Sequence, residues 1–267
     1  TTTSLRGLIG CSLKVGVLEE GVHSGGASGH VPSSFRIARQ LLSRLEDENT
    51  GEIKLRELHT NVPNHRISET EVFVDILGQE VVDEFPWQDK TRPSTEDLLE
   101  GVLRRTWRPA LSVVGANGLP PSENAGNVLR PYTELQLSIR IPPMVDPLLA
   151  QKAIVKHLTE DVPYNATVVV ETEEAAAGWS APKTSDWLAK AIEKASLNHF
   201  EERDCSMSEG GTIPFMAMLG EKYPEAQFVI TGVLGPNSNA HGPNEFLHIP
   251  YAKKLTCCIA SIINDFN

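Results

Sequence analysis

The chain has 267 residues, of which 40% are hydrophobic and 22% are charged, and these values are typical of a folded globular protein rather than a disordered one. At about 150 residues per domain, the length predicts two domains. The formal net charge of −11 argues against nucleic acid or an anionic membrane as a partner, since both attract clustered Lys and Arg. The sequence contains no apolar run that approaches the ~18 residues of a membrane-spanning helix.

Two features suggest a cellular location. The four cysteines, Cys11, Cys205, Cys257 and Cys258, have no metal-binding spacing, and a reducing, cytoplasmic compartment is the simplest explanation for them. The first six residues do not resemble a signal peptide or a transit peptide and read like the middle of a protein.

The first two thirds of the chain alternate between strand and helix patterns. They predict an α+β fold, a two-layer sandwich with helices on one face of the sheet, which we place at residues 8–172. In chain order we predict a strand at 8–18, a glycine-rich loop at 21–29, a helix from Pro32 to near Asn49, a mostly helical insertion at about 52–105 with a helix at 95–105, strands at 110–115 and 134–141, a helix at 147–158 and a strand at 166–171.

Residues 173–182 contain small residues, glycine and proline, as a domain junction does. Beyond them helix and strand alternate, but the elements are too few for a complete α/β sheet. We therefore expect residues 173–267 to be an incomplete part of a second domain. The predicted elements are helices at 185–197 and 213–221, a strand at 227–232, and a final helix with an apolar stripe from Tyr251 to Phe266.

Two basic residues in the first of these parts are candidates for function. His23 stands in the segment Gly21-Val22-His23-Ser24-Gly25-Gly26, where the small neighbours would let a ligand approach closely, although an exposed loop histidine explains the same pattern. Arg140, at the end of a predicted strand, suits bidentate binding of a carboxylate, and a surface arginine is the alternative.

Two glycine-rich loops in the second part are further candidates. The paired glycines of Glu209-Gly210-Gly211-Thr212-Ile213-Pro214 would leave backbone N–H groups free for an anion, unless this is an ordinary turn with Thr212 as a helix N-cap. The loop at 235–245 contains His241 after a predicted strand. A lone histidine makes a poor zinc site, because zinc takes three or four protein ligands.

Together these motifs resemble, in order and spacing, the di-zinc metallopeptidase family that includes carnosinase, aminoacylase and succinyl-diaminopimelate desuccinylase. The most specific match is Asn239-Ala240-His241-Gly242-Pro243-Asn244-Glu245, which is similar to the family's C-terminal metal-ligand loop. The opening resembles its strand entering a dimerisation lid, and Asn127-Val128-Leu129-Arg130-Pro131 resembles the segment before its Ser-x-Arg-x-x-Pro strand. The resemblance covers nearly the whole chain and is weakest at about 52–105.

The resemblance implies hydrolysis of a dipeptide or a related small amide with a free carboxylate. His241 would bind one of two zinc ions, which activate a water molecule while a glutamate accepts its proton. His23 would stabilise the oxyanion in the partner subunit of a homodimer formed through the lid. Arg140 would bind the substrate carboxylate together with Asn127, Glu209 and the Gly210-Gly211-Thr212 backbone.

The sequence departs from the family pattern in two ways. Ser208, Thr212 and Asn127 replace an arginine, a serine and a threonine that are common in the family, which puts the substrate in doubt more than the reaction. The His-x-Asp ligand pair of the N-terminal half is absent from these 267 residues. We therefore expect a fragment that is inactive alone. The alternatives are an N-acyl-amino-acid deacylase or desuccinylase of the same family and a non-catalytic dimerisation module.

Overall fold

The structure follows most of the predicted alternation of strands and helices. The computed structural model describes residues 1–266. Its strands are β1 (Thr2–Leu5), β2 (Gly7–Gly16), β3 (Val22–His23), β4 (Ala110–Asn117), β5 (Val128–Leu129), β6 (Tyr132–Ile141), β7 (Thr167–Thr172), β8 (Trp179–Ser180) and β9 (Met207–Glu209). Its helices are α1 (Ser24–Ala27), α2 (Ser34–Leu45), α3 (Asn64–Leu77), α4 (Glu80–Asp83), α5 (Leu98–Thr106), α6 (Pro147–Thr159), α7 (Asp186–Phe200), α8 (Pro214–Lys222) and α9 (Ile249–Asn264).

Four antiparallel strands form the sheet that we call the lid sheet, in the order β4-β6-β2-β7. The two central strands, β2 and β6, pair along their whole length, from Gly7 opposite Ile141 to Gly16 opposite Tyr132. Strict alternation buries every second residue of β6. This register gives the sheet one apolar face and one polar face.

Helices α2 and α6 cover the apolar face, which confirms the predicted α+β sandwich. Helix α2 begins at Ser34 rather than at Pro32 because the Ser33 hydroxyl caps it, accepting from the Arg36 N–H at 3.4 Å. Asp146 caps α6 by accepting from the N–H groups of Leu148 and Leu149 at 2.9 and 3.0 Å. The fully buried side chains between sheet and helices include Ile9, Leu13, Leu137, Ile139, Ile37, Leu41 and Ile154.

A second sheet, in the order β8-β1-β9, is built around β1. Strand β1 pairs with β8 in the antiparallel and with β9 in the parallel direction, so the chain segments before and after the lid sheet meet there. Helices α7 and α9 pack against each other through Leu188, Ile192, Cys258 and Ile262. No helix among residues 1–266 is long and apolar enough to cross a membrane.

The predicted strand at 227–232 is wrong. Within the described residues the structure assigns no strand there, and the backbone link of this segment to β1 is a single bond, from the Thr2 N–H to the Ile230 carbonyl at 2.8 Å. Phe228 and Ile230 pack beside Trp179 and Leu5, so their apolar character reflects packing without a strand ladder.

The predicted loop at 21–29 also contains short regular structure, namely β3 and α1. Strand β3 pairs with β5, a segment about one hundred residues later in the chain. Local sequence patterns carry no information about such a distant partner, which is why the pairing was not predicted.

Candidate substrate-binding site

Arg140 and Thr212 are joined by a hydrogen bond that links the lid sheet to the C-terminal part of the chain. Arg140 lies on the polar face of β6, half-buried, and its Nη1 donates to the Thr212 hydroxyl at 2.8 Å. Helix α8 is preceded by Ile213 as its N-cap residue, without a side-chain cap bond. Thr212 is therefore not a helix cap, and Arg140 is not a free surface arginine.

The two glycines before Thr212 differ in their surroundings. A Cβ atom on Gly210 would lie 2.6 Å from the Arg105 carbonyl oxygen and 3.0 Å from Arg6 Nη2, so only glycine fits there. A Cβ atom on Gly211 would meet nothing within 4 Å. The turn is thus packed against protein on one side and open on the other.

Three arginines surround this turn. Arg6 Nε donates to the Gly210 carbonyl at 3.1 Å, and burial together with the charges of Arg140 and Arg105 lowers the pKa of Arg6 to about 10. Arg105 is paired with Glu84, whereas neither Arg6 nor Arg140 makes an ion pair within residues 1–266. The site therefore carries uncompensated positive charge, which suits an anionic group.

Just before the turn, Ser208 is buried and Glu209 is half-buried. Burial raises the pKa of Glu209, opposed by the nearby Arg105 and reinforced by Glu84. The buried Ser208 hydroxyl accepts a hydrogen bond from Trp107 Nε1 at 2.9 Å. An arginine at position 208 would have to displace this buried contact.

Sequence analysis did not single out Arg6, Arg105 or Trp107. Each lies far in sequence from the turn at 210–212, and each is an ordinary residue in its own segment. Only the parallel pairing of β1 with β9 brings Arg6 next to Gly210.

His23 and Asn127 lie together, away from Arg140. Strand pairing places His23 opposite Val128, and the Ser24 N–H donates to the Asn127 carbonyl at 2.9 Å. The exposed imidazole lies over Gly25, where a Cβ atom would be 2.8 Å from His23 Cε1. A side chain at position 25 would therefore displace the imidazole from this position.

The lid sheet separates these two groups within one chain. Arg140 is opposite Leu8 at the beginning of β2, whereas the segment carrying His23 leaves from the other end, after Gly16. Eight residues of antiparallel strand span about 27 Å. His23 and Arg140 of the same chain thus belong to opposite ends of the sheet.

His241 lies in a loop of left-handed residues. Asn237, Asn239, His241 and Asn244 have φ values of 60°, 52°, 60° and 59°. Asparagine tolerates this conformation better than most residues, so the backbone by itself explains part of the Asn-rich motif. The Glu245 carboxylate accepts a hydrogen bond from the His241 backbone N–H. His241 itself is exposed.

The donor atoms near His241 do not make a zinc site. Zinc in proteins takes three or four side-chain ligands. Residues 1–266 contain no group of three or more His, Cys, Asp or Glu side chains arranged to hold a metal ion. The described residues alone therefore do not fit the pair of zinc ions that the resemblance implies.

Comparison with known proteins agrees with the resemblance seen in the sequence. Residues 3–165 match the family model described as the peptidase dimerisation domain of the M20 type. The chain is 26% identical over 273 aligned positions to the cysteinylglycine-S-conjugate dipeptidase of Corynebacterium striatum, and this alignment covers 94% of the chain and 55% of the relative. The chain thus spans about half the length of this curated relative.

Two solved structures share the fold. The dipeptidase Dug1p from Saccharomyces cerevisiae superimposes with a TM-score of 0.77 at 19% identity, covering 99% of this chain and 55% of its own. Human carnosine dipeptidase 1 superimposes with a TM-score of 0.72 at 20% identity, with coverage of 99% and 55%. Since the family model matches more than half of the chain, this protein belongs to the M20 peptidases, through their dimerisation domain.

Proposed function

We propose that this chain is the lid and the closing part of the catalytic domain of a dipeptidase, which hydrolyses a small peptide with a free carboxylate. The observation that carries this proposal is the bond from Arg140 to Thr212 beside the open Gly211. It leaves a guanidinium without a carboxylate partner next to the exposed Gly211. The dipeptidase relatives support the reaction type.

In this proposal Arg140 binds the substrate carboxylate. A guanidinium can donate two parallel N–H bonds to a carboxylate, and one bond to the Thr212 hydroxyl leaves other donors available. Gly211 is exposed and its N–H has no hydrogen-bond partner within residues 1–266, so this N–H would add a further donor. Glu209 is positioned behind the turn, and Asn127 acts together with His23.

The chemical step needs groups from beyond this turn. His23 donates a hydrogen bond to the oxyanion that forms when water attacks the scissile carbonyl, and it does so in the site of a partner subunit. His241 would be one ligand of a metal ion whose other ligands belong to the rest of that catalytic domain. We use the term complete enzyme for this chain together with the rest of that catalytic domain.

Replacing Arg140 by methionine tests the proposal. In the complete enzyme, Arg140→Met should raise KM for cysteinylglycine roughly tenfold to a hundredfold, because a charge-assisted contact contributes about 1.5–3 kcal/mol. Thermal stability should change little, since Arg140 lies on the polar face of the sheet. Steady-state kinetics and thermal denaturation measure the two effects.

A matched control is Arg39→Met, which removes an exposed arginine of α2, the helix on the other face of the sheet. It should leave KM unchanged. A second control is the dipeptide amide, which lacks the carboxylate and should respond little to Arg140→Met. If Arg140→Met leaves KM for cysteinylglycine unchanged, the proposed carboxylate site is wrong.

An N-acyl-amino-acid deacylase or desuccinylase is the competing function. Its substrates also carry a free carboxylate, so Arg140 would serve both reactions equally. Comparing kcat/KM for a dipeptide and for its N-acetylated form separates them, since only the dipeptide has a free amine.

A further inference from the structure

We propose that Arg6 is a positioning residue of the carboxylate site: it holds the Gly210 carbonyl and thereby turns the Gly211 N–H towards the substrate. This inference rests on the proposed function of Arg140. It assigns a role to a residue that lies 134 positions before Arg140 in the sequence and makes no ion pair within residues 1–266.

Arg6 is held firmly in place. It is the one residue between β1 and β2, and it is 9% exposed. The backbone beside it is crowded, because a Cβ atom on Gly178 would lie 2.8 Å from the Leu5 carbonyl oxygen and 2.8 Å from the Gly7 nitrogen. The Arg6 backbone therefore has little freedom, and its side chain donates to Gly210 at 3.1 Å.

Peptide geometry transmits this contact to the open side of the turn. In a planar trans peptide the carbonyl of one residue and the N–H of the next point in opposite directions. The described residues contain no cis peptide bond. With the Gly210 carbonyl bound by Arg6, the Gly211 N–H must point away from Arg6, and it has no hydrogen-bond partner within residues 1–266.

Arg140 holds the other end of the same turn through Thr212. The two arginines thus fix Gly210 and Thr212, with Gly211 between them. A donor that is held in place before the ligand arrives loses less entropy on binding. This arrangement keeps the Gly211 N–H ready for a carboxylate without a contact between Arg6 and the substrate.

An arginine at position 6 destabilises the folded state more than a residue that only bonds to the Gly210 carbonyl would. Arg6 Nη1 is buried without a hydrogen-bond partner, and such a group destabilises the folded state. Arg6 also lies near Arg140 and Arg105, and only Arg105 has a carboxylate partner. A neutral donor could bind the Gly210 carbonyl at lower cost. The charge of Arg6 is explained if it also attracts an anion to the turn.

The test compares Arg6→Lys and Arg6→Met in the complete enzyme. Lysine keeps the charge but not the planar guanidinium geometry, whereas methionine removes both. We expect KM for cysteinylglycine to rise about tenfold for Arg6→Met and less for Arg6→Lys, with kcat within about twofold. KM for the dipeptide amide should stay within about twofold, because the Gly211 N–H has no carboxylate to bind there.

Arg108→Met is the matched control, since it removes an arginine whose side chain pairs with Glu100 rather than with the turn. It should leave the ratio of the two KM values unchanged. If Arg6→Met does not fold, as judged by circular dichroism, Arg6→Lys alone decides the result.

Two outcomes would overturn the inference: a folded Arg6→Lys or Arg6→Met enzyme with an unchanged KM for the dipeptide, or an equal rise of KM for dipeptide and dipeptide amide. Arg140→Met is measured in parallel. If it also leaves KM unchanged, the carboxylate site itself is wrong, whereas a rise for Arg140→Met alone refutes only the role of Arg6.

Discussion

At the scale of single residues, glycine fixes the place where the lid sheet joins the rest of the chain. A Cβ atom on Gly7 would lie 2.7 Å from the Ala176 carbonyl oxygen, 2.8 Å from Ile141 Cγ1 and 2.9 Å from the Gly178 nitrogen. Leu8 and Ala176 exchange backbone hydrogen bonds of 2.9 and 2.8 Å next to it. The two connecting segments can cross only because Gly7 and Gly178 lack side chains.

Gly7→Ala should therefore destabilise the protein by about 1–3 kcal/mol, since two of the three close atoms belong to the backbone and cannot rotate away. Chemical denaturation monitored by circular dichroism measures this change. Gly16→Ala, at the other end of β2, is the control because its nearest neighbours would be 3.8 Å away. Equal denaturation midpoints for the two variants would contradict the argument.

The residues of the candidate site were only partly predictable. Arg140 could be found because strict alternation in β6 places it opposite the buried face, and its role as a carboxylate ligand is still a prediction. The bond of Arg6 to Gly210 could not be found. It depends on a pairing between β1 and β9 that brings together residues 204 positions apart, and no local pattern encodes that distance.

At the scale of elements, helix α3 is attached to the three-stranded sheet β8-β1-β9 by an ion pair between the buried Arg66 and the partly exposed Glu69. Arg66 is 2% exposed and donates through Nη1 to both carboxylate oxygens of Glu69, at 2.8 and 2.7 Å. Its Nη2 donates to the Ala181 carbonyl at 2.7 Å, and Glu69 accepts from the Thr3 hydroxyl at 2.9 Å. The pair thus joins α3 to the segments on either side of the lid sheet.

Removing one partner of this pair should cost more than breaking an exposed one. Glu69→Ala leaves a buried guanidinium without its counter-charge, which costs about 3–5 kcal/mol. The control is Glu96→Ala, which breaks a 3.5 Å contact to Arg92 between side chains that are 81% and 83% exposed. That loss should be about 0–1 kcal/mol. Similar losses of unfolding free energy in both variants would mean that Arg66 is solvated in solution.

The elements themselves were predicted well where periodicity is strong. Helix α6 matches the predicted 147–158 to within one residue, because Asp146 and Pro147 mark its start. Helix α5 begins at Leu98, three residues after the predicted start, because Asp97 is its cap. The false strand at 227–232 arose because a short apolar run indicates burial but not the hydrogen-bonding partner.

At the scale of the whole molecule, the positions of His23 and Arg140 require a second copy of the chain if both act in one site. Within one protomer they belong to opposite ends of the lid sheet, about 27 Å apart along β2. His23 is exposed and held by the β3–β5 pair, so it projects from the protein rather than packing into it. We propose a symmetric dimer formed through this domain, in which each His23 would reach the site of its partner.

Mixed dimers test this arrangement in the complete enzyme. One subunit carries His23→Ala and the other carries His241→Ala, which removes the proposed metal ligand. Each homodimer should be nearly inactive, because losing one oxyanion donor costs about a hundredfold or more in kcat. If His23 acts across the interface, one site of each mixed dimer combines an intact His23 with an intact His241. Its activity should then reach up to half that of the unmodified dimer.

A mixed dimer built from unmodified and doubly substituted subunits is the control: its two sites each lack one group, so it should stay inactive. Activity in the control but not in the first mixture would show that His23 acts within its own subunit, and a monomer at micromolar concentration in light scattering would refute the dimer itself.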